Sequence, residues 1–262
     1  MPVDSLSRNE VHLWTIERDR CAELAELTEC LSPAEKQRAS RLRVVEKREA
    51  FVYNRALVRH ILASYAGISP QNVPLTTSPE GKPLWDASSG QGPSDCLTFN
   101  LSHRGDLALL AVRRGQAVGV DLEKFEERTN YDALARQALS PREMLLYQQL
   151  PAEERPAAML RTWTRKEAFL KAAGVGLGRP LAEIEVTFSV SEPPQVLATG
   201  DRCQLPGDWV LESWSPQPGW FAALATPREG ASLHLRFHQA TSLGDWHSSP
   251  HVLAQQASCQ AS

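Results

Sequence analysis

The stretch Trp163–Lys171 constrains the fold more than any other part of the sequence, because it contains no helix breaker and consists mostly of good helix formers. On a helix, Trp163, Glu167 and Lys171 are spaced four residues apart and share one stripe. Gly174 then provides a stop signal. The sequence therefore predicts one helix that presents a carboxylate and an ammonium group side by side, next to a large aromatic ring.

Apolar and non-apolar residues alternate strictly over 118–123, which predicts a half-buried strand. The apolar side chains face one way, and Asp121 and Glu123 face the other way together with Gly119. Carboxylates two residues apart on a strand are separated by roughly 6.5 Å. Together with Glu167 they can surround one hard cation such as Mg²⁺. A plainer interpretation stays open, in which the strand carboxylates face solvent at a sheet edge and the helix pair is an ordinary surface pair.

Length and composition bound the class of protein. The 262 residues suffice for one large domain or two small ones, and 42% hydrophobic with 23% charged residues is ordinary for a globular protein. No apolar run reaches about eighteen residues, so no membrane span is predicted, and the first residues lack the pattern of a signal peptide. The net charge of −3 argues against a general binder of polyanions such as nucleic acid. Five scattered cysteines without a C-x-x-C pair favour reduced thiols and a cytoplasmic location.

Each half of the chain shows the same order of predicted elements, namely a strand, then helices, then antiparallel strands. In the first half, strands at 11–16, 97–102 and 107–112 flank helices that run to Gly67, one of which starts at the Ser-Pro-x-Glu signal of Ser32. We predict an α+β fold class in which each half is an antiparallel sheet packed with helices.

The second half repeats this order. The strand at 118–123 is followed by a helix that starts at a second Ser-Pro-x-Glu signal, Ser140, and by the helix that contains Trp163, and a predicted hairpin joins strands at 209–214 and 220–225.

We therefore expect an N-terminal half at 1–115, a C-terminal half at 116–227 and a tail at 228–262. The tail is expected to be partly disordered, with its last fifteen or so residues poorly packed.

Several basic residues are candidates for anion contacts. Arg48, Arg55 and Arg59 are seven and four residues apart and form a basic stripe on a predicted helix, which on its own is typical of a solvated face. Lys82 lies in a turn cluster and His103 at the end of a predicted strand. Without further context, these two are an ordinary turn lysine and an ordinary surface histidine.

Four motifs in order resemble the 4′-phosphopantetheinyl transferase family, in particular its longer Sfp/HetI-like type. They are Gly-Lys-Pro at 81–83, Phe-Asn-Leu-Ser-His at 99–103, Gly-Val-Asp-Leu-Glu at 119–123 and Trp-Thr-Arg-Lys-Glu-Ala-Phe-Leu-Lys at 163–171. The resemblance runs from about residue 14 to 226. It implies a pseudo-twofold pair of α+β halves, with coenzyme A bound in the cleft between them.

The resemblance also implies a reaction and its residues. The family transfers 4′-phosphopantetheine from coenzyme A to a serine of an apo acyl or peptidyl carrier protein, releases 3′,5′-ADP and depends on Mg²⁺. Glu167 would be a metal ligand and a possible base, acting directly or through a coordinated water, and Lys171 would stabilise the leaving phosphate. The implied metal ligands are Asp121, Glu123 and Glu167; the implied coenzyme contacts are Arg48, Arg55, Lys82, Ser102, His103 and Lys171, with Arg38 a weaker candidate.

Two other functions stay open at this point. A nucleotide pyrophosphatase would share the carboxylates but would release 3′,5′-ADP without a carrier protein. A non-catalytic coenzyme A-binding module would be unaffected by Glu167→Gln. Two fused halves make a working monomer the expected state. The family resemblance implies that the carrier docks near 140–150, where Arg142 suits an acidic helix. The sequence does not identify the carrier.

Overall fold

The structure is a computed structural model of the chain and describes residues 6–18, 24–78, 81–86, 88, 96–175, 179–199, 209–228 and 232–240. The helices are α1 (Leu24–Glu29), α2 (Pro33–Arg41), α3 (Val45–Ala66), α4 (Tyr131–Ala138), α5 (Pro141–Gln149) and α6 (Arg155–Ala173). The strands are β1 (Glu10–Glu17), β2 (Leu75–Thr77), β3 (Pro83–Trp85), β4 (Leu97–Arg104), β5 (Leu107–Arg114), β6 (Gly119–Lys124), β7 (Glu185–Val186), β8 (Val196–Ala198), β9 (Trp209–Trp214), β10 (Trp220–Pro227) and β11 (His234–Ala240). Short 3₁₀ turns lie at Pro70–Asn72 and Leu181–Glu183.

Two sheets form the centre of the molecule. The larger has four strands in the order β11-β1-β5-β4, and the smaller has three in the order β6-β10-β9. All neighbours in them are antiparallel except β1 and β11, which run parallel. Two-stranded ribbons, β2-β3 and β7-β8, complete the strands. The predicted α+β class with antiparallel sheets and helices is confirmed, and the parallel pair arises because the chain returns from the smaller sheet to the edge of the larger one.

The described elements stack as helix, sheet, sheet and helix. Helix α3 covers the outer face of the larger sheet, where Leu57 and Val112 belong to one core cluster. The two sheets face each other across a second cluster that includes Leu13 and Val120. Helix α6 covers the outer face of the smaller sheet, where Phe169 is fully buried in a third cluster. Among the described residues, no helix has both the length and the apolar content needed to cross a bilayer.

The predicted helix boundaries at the two Ser-Pro-x-Glu signals are confirmed. Ser32 caps α2 and Ser140 caps α5, each in a capping box with the glutamate three residues later. Gly174 ends α6 in the left-handed conformation, as the sequence predicted. The last fifteen or so residues, predicted to pack poorly, lie outside the described residues.

Strand β6 and helix α6 approach each other unusually closely at Gly119. A Cβ atom on Gly119 would lie 2.1 Å from the carbonyl oxygen of Ala168 and 2.4 Å from the backbone nitrogen of Ala172. Only glycine permits this contact. The strand was predicted to be half-buried, but its residues are buried on both faces up to Leu122, because α6 covers the face that carries Asp121.

Candidate active site

Elements of both halves meet at the carboxylate of Asp121, which is 4% exposed. Lys171, in the last turn of α6, donates from Nζ to Asp121 Oδ1 at 2.6 Å. Ser102 of β4 donates to the same oxygen at 3.0 Å. The Lys171 ammonium also reaches Ser102 Oγ and the carbonyl oxygen of Val120, each at 3.2 Å. The structure therefore brings together residues from three of the four sequence motifs.

The other two carboxylates of the predicted metal site lie close to Asp121. Burial raises the pKa of Glu167 above its ordinary value, and the Asp121 charge raises it further. Burial and then Asp121 raise the pKa of Glu123 to about 6. The helix carboxylate and the two strand carboxylates thus concentrate negative charge at one place.

The described residues nevertheless contain no ready-made group of three His, Cys, Asp or Glu side chains arranged to hold a metal ion. Instead, Lys171 neutralises one oxygen of Asp121. The second oxygen, Asp121 Oδ2, is buried and has no hydrogen-bond partner within the described part of the chain. A buried carboxylate oxygen without a donor is costly, and it suits a hard divalent cation as its ligand. The residues therefore fit such an ion, with some rearrangement of the neighbouring carboxylates.

Lys82 and His103 lie at the same place. Lys82 Nζ donates to the carbonyl oxygen of Lys171 at 3.1 Å, which ties the Gly-Lys-Pro turn to α6. Burial, and then the Lys171 charge, lower the pKa of Lys82 to about 8. His103 is exposed at the end of β4, and partial desolvation followed by the Lys171 charge lowers its pKa. The Lys171 ammonium therefore affects both groups, and the lowered pKa of His103 favours its neutral form.

The arginines of the first half divide into two kinds. Arg59 is 2% exposed and donates to Glu35 and to the carbonyl oxygens of the turn after α3, so it is a structural residue and not part of a solvated stripe. Arg55 is also buried and pairs with Glu35 at 3.4 Å. Its guanidinium and that of Arg38 lie over the ring of Phe51.

Arg38 approaches the position of the predicted phosphate turn, since a Cβ on Gly81 would lie 3.3 Å from its Nη2. Arg48 is half-buried near the start of α3, and no side-chain contact ties it to Asp121.

Two residues at the site were not singled out from the sequence. Asn100 is buried and accepts the backbone N–H of Val120 at 2.8 Å, which joins the two sheets beside the site. Its spacing from Ser102 would place both on one face of β4, which is a usable signal. Arg104 contacts Glu123 and Glu126 across the cleft, and such contacts between distant segments leave no local signal.

A small cavity of about 140 Å³ opens beside Glu123. Its lining includes the side chains of Arg104, Tyr131, Met159 and Trp163. The aromatic ring predicted to flank the helix pair therefore lies at the edge of the acidic cluster.

Comparison with known proteins identifies the family of the chain. Residues 117–225 match the model of the 4′-phosphopantetheinyl transferase superfamily, and residues 14–115 match that of the 4′-phosphopantetheinyl transferase N-terminal region. The 4′-phosphopantetheinyl transferase HetI of Nostoc sp. is 36% identical over 84% of this chain and 89% of its own length. The 4′-phosphopantetheinyl transferase psf-1 of Bacillus pumilus is 30% identical over 75% of this chain and 79% of its own.

A human relative extends the similarity. The L-aminoadipate-semialdehyde dehydrogenase-phosphopantetheinyl transferase of Homo sapiens is 28% identical over 78% of this chain and 69% of its own length. The two family matches adjoin each other and together cover both halves. The chain therefore belongs to the 4′-phosphopantetheinyl transferase superfamily and is of the HetI-like type.

Proposed function

We propose that this chain transfers the 4′-phosphopantetheine group of coenzyme A to a serine of an apo acyl or peptidyl carrier protein, with release of 3′,5′-ADP. One observation carries the proposal: Ser102 of the first half and Lys171 of the second bind the same oxygen of Asp121. A hydroxyl, an ammonium and a carboxylate fixed at the contact between the halves suit the recognition of a phosphate.

The proposed metal ligands are Asp121, Glu123 and Glu167, and the proposed ion is Mg²⁺. The buried, unpaired Oδ2 of Asp121 supports this assignment within the described residues. When bound, a divalent cation supplies charge neutralisation at the pyrophosphate.

The chain's own residues supply the rest of the proposed chemistry. The carrier serine Oγ forms a bond to the β-phosphorus, and the bond from that phosphorus to the bridging oxygen breaks, so that 3′,5′-ADP leaves with the electron pair. Glu167 is proposed to accept the serine proton, either directly or through a water coordinated by the metal. The Lys171 ammonium, already fixed by three oxygens, stabilises the departing phosphate.

Apart from Lys171, the proposed coenzyme contacts lie on the first half. Lys82, Ser102 and His103 hold the pyrophosphate, and Arg48 and Arg55 hold the nucleotide phosphates. Arg55 already pairs with Glu35, so we expect Arg38, next to the Gly81 turn, to contribute as well.

The test is intact-protein mass spectrometry of several apo carriers after incubation with the chain, coenzyme A and Mg²⁺. A mass gain of one phosphopantetheine on the carrier is expected, and a chelator is expected to abolish it. A carrier in which the acceptor serine is replaced by alanine provides the control. Unmodified mass on every carrier tried, fatty acid, polyketide and nonribosomal peptide carriers among them, would overturn the proposal.

A parallel reaction without carrier separates the two rival functions. Rapid release of 3′,5′-ADP under these conditions would favour a pyrophosphatase. Binding of coenzyme A with neither release nor transfer would favour a non-catalytic module.

The proposal also covers the type of transferase, the oligomeric state, the division of the chain, the compartment and the docking surface for the carrier. We propose holo-[acyl-carrier-protein] synthase activity, a monomer and halves divided at 115/116. A reducing compartment such as the cytoplasm is supported by the buried free thiol of Cys30. The carrier is proposed to dock on α5, where the side chains of Leu145 and Arg142 are 62% and 71% exposed.

A further inference from the structure

Arg104 is a charged residue at the reaction centre that the proposed chemistry does not use. It is the last residue of β4, directly after His103. Its Nε lies 3.7 Å from Glu123 Oε2, and its Nη2 donates to Glu126 Oε1 at 2.6 Å. One guanidinium therefore bridges two glutamates that lie on and just beyond β6.

The two ends of this bridge differ in character. Glu126 is 48% exposed, so its short hydrogen bond anchors the guanidinium at the surface. Glu123 is 24% exposed and lies beside Asp121, so its charge is partly desolvated and faces a like charge. A positive group beside Glu123 relieves both costs.

The two cations beside the acidic cluster lie at different distances from their carboxylates. The Lys171 ammonium lies against Asp121 at 2.6 Å, whereas the contact of Arg104 with Glu123 is longer. Glu123 and Arg104 also line the same small cavity, next to Trp163. The Arg104 guanidinium thus lies beside the carboxylate that is proposed to bind the cation, so the two positive charges would compete for Glu123.

We propose that Arg104 acts as a replaceable counter-charge, which neutralises Glu123 when no divalent cation is bound and withdraws toward Glu126 when one binds. The inference rests on the metal site of the proposed function. It makes Arg104 a residue that sets the affinity for the metal and does not touch the reacting atoms. Because part of the Arg104–Glu123 attraction is lost when a cation binds, the apparent affinity for the cation is lower than the carboxylates alone would give.

The test measures metal binding and not turnover. Full-length wild-type protein and Arg104→Gln are titrated with Mn²⁺ alone by isothermal calorimetry at low ionic strength. The variant is expected to bind Mn²⁺ roughly two- to fivefold more tightly, which is the range of a partly exposed ion pair. Added salt is expected to narrow the difference, because it screens the Arg104–Glu123 pair.

Arg236→Gln provides the matched control. Arg236 of β11 is 57% exposed and pairs with Glu10 at 3.2 Å, at the opposite edge of the larger sheet from β4. Its loss changes the net charge equally and should leave Mn²⁺ affinity at the wild-type value. Equal or weaker binding by Arg104→Gln, or equal tightening by Arg236→Gln, would overturn the inference.

The same titration separates this inference from the proposed function. If wild type binds Mn²⁺ and Arg104→Gln binds it equally, only the role of Arg104 fails. If neither protein binds Mn²⁺, the metal site fails as well, and the carrier mass assay then decides independently whether transfer occurs.

Discussion

Lys171 illustrates how single residues shape the site. Three oxygens, from Asp121, Ser102 and Val120, fix its ammonium before any substrate is present. A cation held in place stabilises developing negative charge without reorganisation during the reaction. Burial is the main cause of the lowered pKa of Lys82 and of His103, and the same ammonium lowers both further.

Glu167→Gln is expected to lower kcat on the order of 10²- to 10⁴-fold, because it removes the proposed base and one anionic metal ligand while keeping the shape of the side chain. Coenzyme A affinity should change little. Steady-state transfer to an apo carrier and calorimetric coenzyme binding provide the two measurements. Glu183→Gln, an exposed glutamate outside the site, is the control and should behave as wild type. A kcat within a few-fold of wild type for Glu167→Gln would remove Glu167 from the chemistry.

The pKa of about 8 for Lys82 predicts how coenzyme binding depends on pH. Phosphate oxygens favour the charged lysine, so its pKa rises on binding, and the contribution to affinity is complete below pH 8 and declines as the pH rises above it. The Kd of wild type for coenzyme A should therefore increase between pH 8 and 9.5. Lys82→Arg should flatten this increase, since arginine stays charged throughout. Parallel pH profiles for both proteins would contradict the assignment.

The sequence predicted that certain residues would share one site, but it did not predict which ion pairs and hydrogen bonds they would form there. Ser102, Asp121 and Lys171 belong to separate motifs, and they share contacts in the structure. Spacing along the chain could not reveal that Lys171 pairs with Asp121 and not with the glutamate four residues before it. Nor could it reveal that Arg59 would be buried, because both outcomes depend on packing between distant segments. The roles assigned to these residues stay predictions.

At the scale of elements, the site exists because α6 lies directly on β6. Small residues make this possible: Gly119 on β6, together with Ala223 and Ala225 on β10, faces the helix. The periodicities of the two segments predicted the strand, the helix and the faces that they present. The short distance between β6 and α6, however, depends on the absence of a side chain at Gly119.

Gly119→Ala is expected to destabilise the fold by about 1–3 kcal/mol, as overpacking does, and to reduce transfer activity by displacing α6 from Asp121. Urea unfolding and the carrier assay measure the two effects. The control is Gly67→Ala at the end of α3, where φ is 65° and the added Cβ meets nothing within 4 Å. It should lose about 1–2 kcal/mol from backbone strain and remain active. Full activity in Gly119→Ala would show that close packing of α6 is not required.

Helix α6 is also fixed from its other side by a buried ion pair. Lys166 is fully buried and donates to Glu143, to the carbonyl oxygen of Ala138 and to that of Leu181. Glu143 in turn caps α5 and accepts the N–H of Val186. One pair therefore joins α6 to four neighbouring segments, namely α4, α5, the 3₁₀ turn at Leu181–Glu183 and β7.

Lys166→Met is expected to cost about 3–5 kcal/mol, because it leaves the Glu143 charge buried without its partner. The double variant Lys166→Met/Glu143→Gln should recover part of this loss. Urea unfolding of the wild type, both single variants and the double variant gives the coupling energy. Additive losses would mean that the two side chains do not stabilise each other.

At the scale of the whole molecule, the last described strand connects the halves. Strand β11 follows β10 of the smaller sheet, but it pairs with β1 at the edge of the larger one. Arg113 of β5 adds a side-chain link by donating to the carbonyl oxygen of Pro227 at 2.8 Å and to Thr226 Oγ1. The order of strands and helices was predictable from local patterns, whereas the sequence offered no motif beyond 227 and so gave no sign of this return.

Ending the chain at residue 228 is expected to lower the melting temperature by several degrees and to promote aggregation, because it exposes the hydrogen-bonding edge of β1. Ending it at 240 keeps β11 and should preserve wild-type stability. Thermal unfolding and size-exclusion chromatography of both truncations provide the comparison. Equal melting temperatures for the two would deny β11 a stabilising role.

The return of β11 has a consequence for splitting the protein. If the protein were divided between residues 115 and 116, β1 and its pairing partner β11 would be on different fragments. The first fragment would then expose an unpaired strand edge that can pair with other chains. A reconstitutable pair would need the 232–240 segment grafted onto the first fragment, or a circular permutation that keeps it there. Two-fragment reporters of carrier modification should therefore include residues 232–240 in the first fragment.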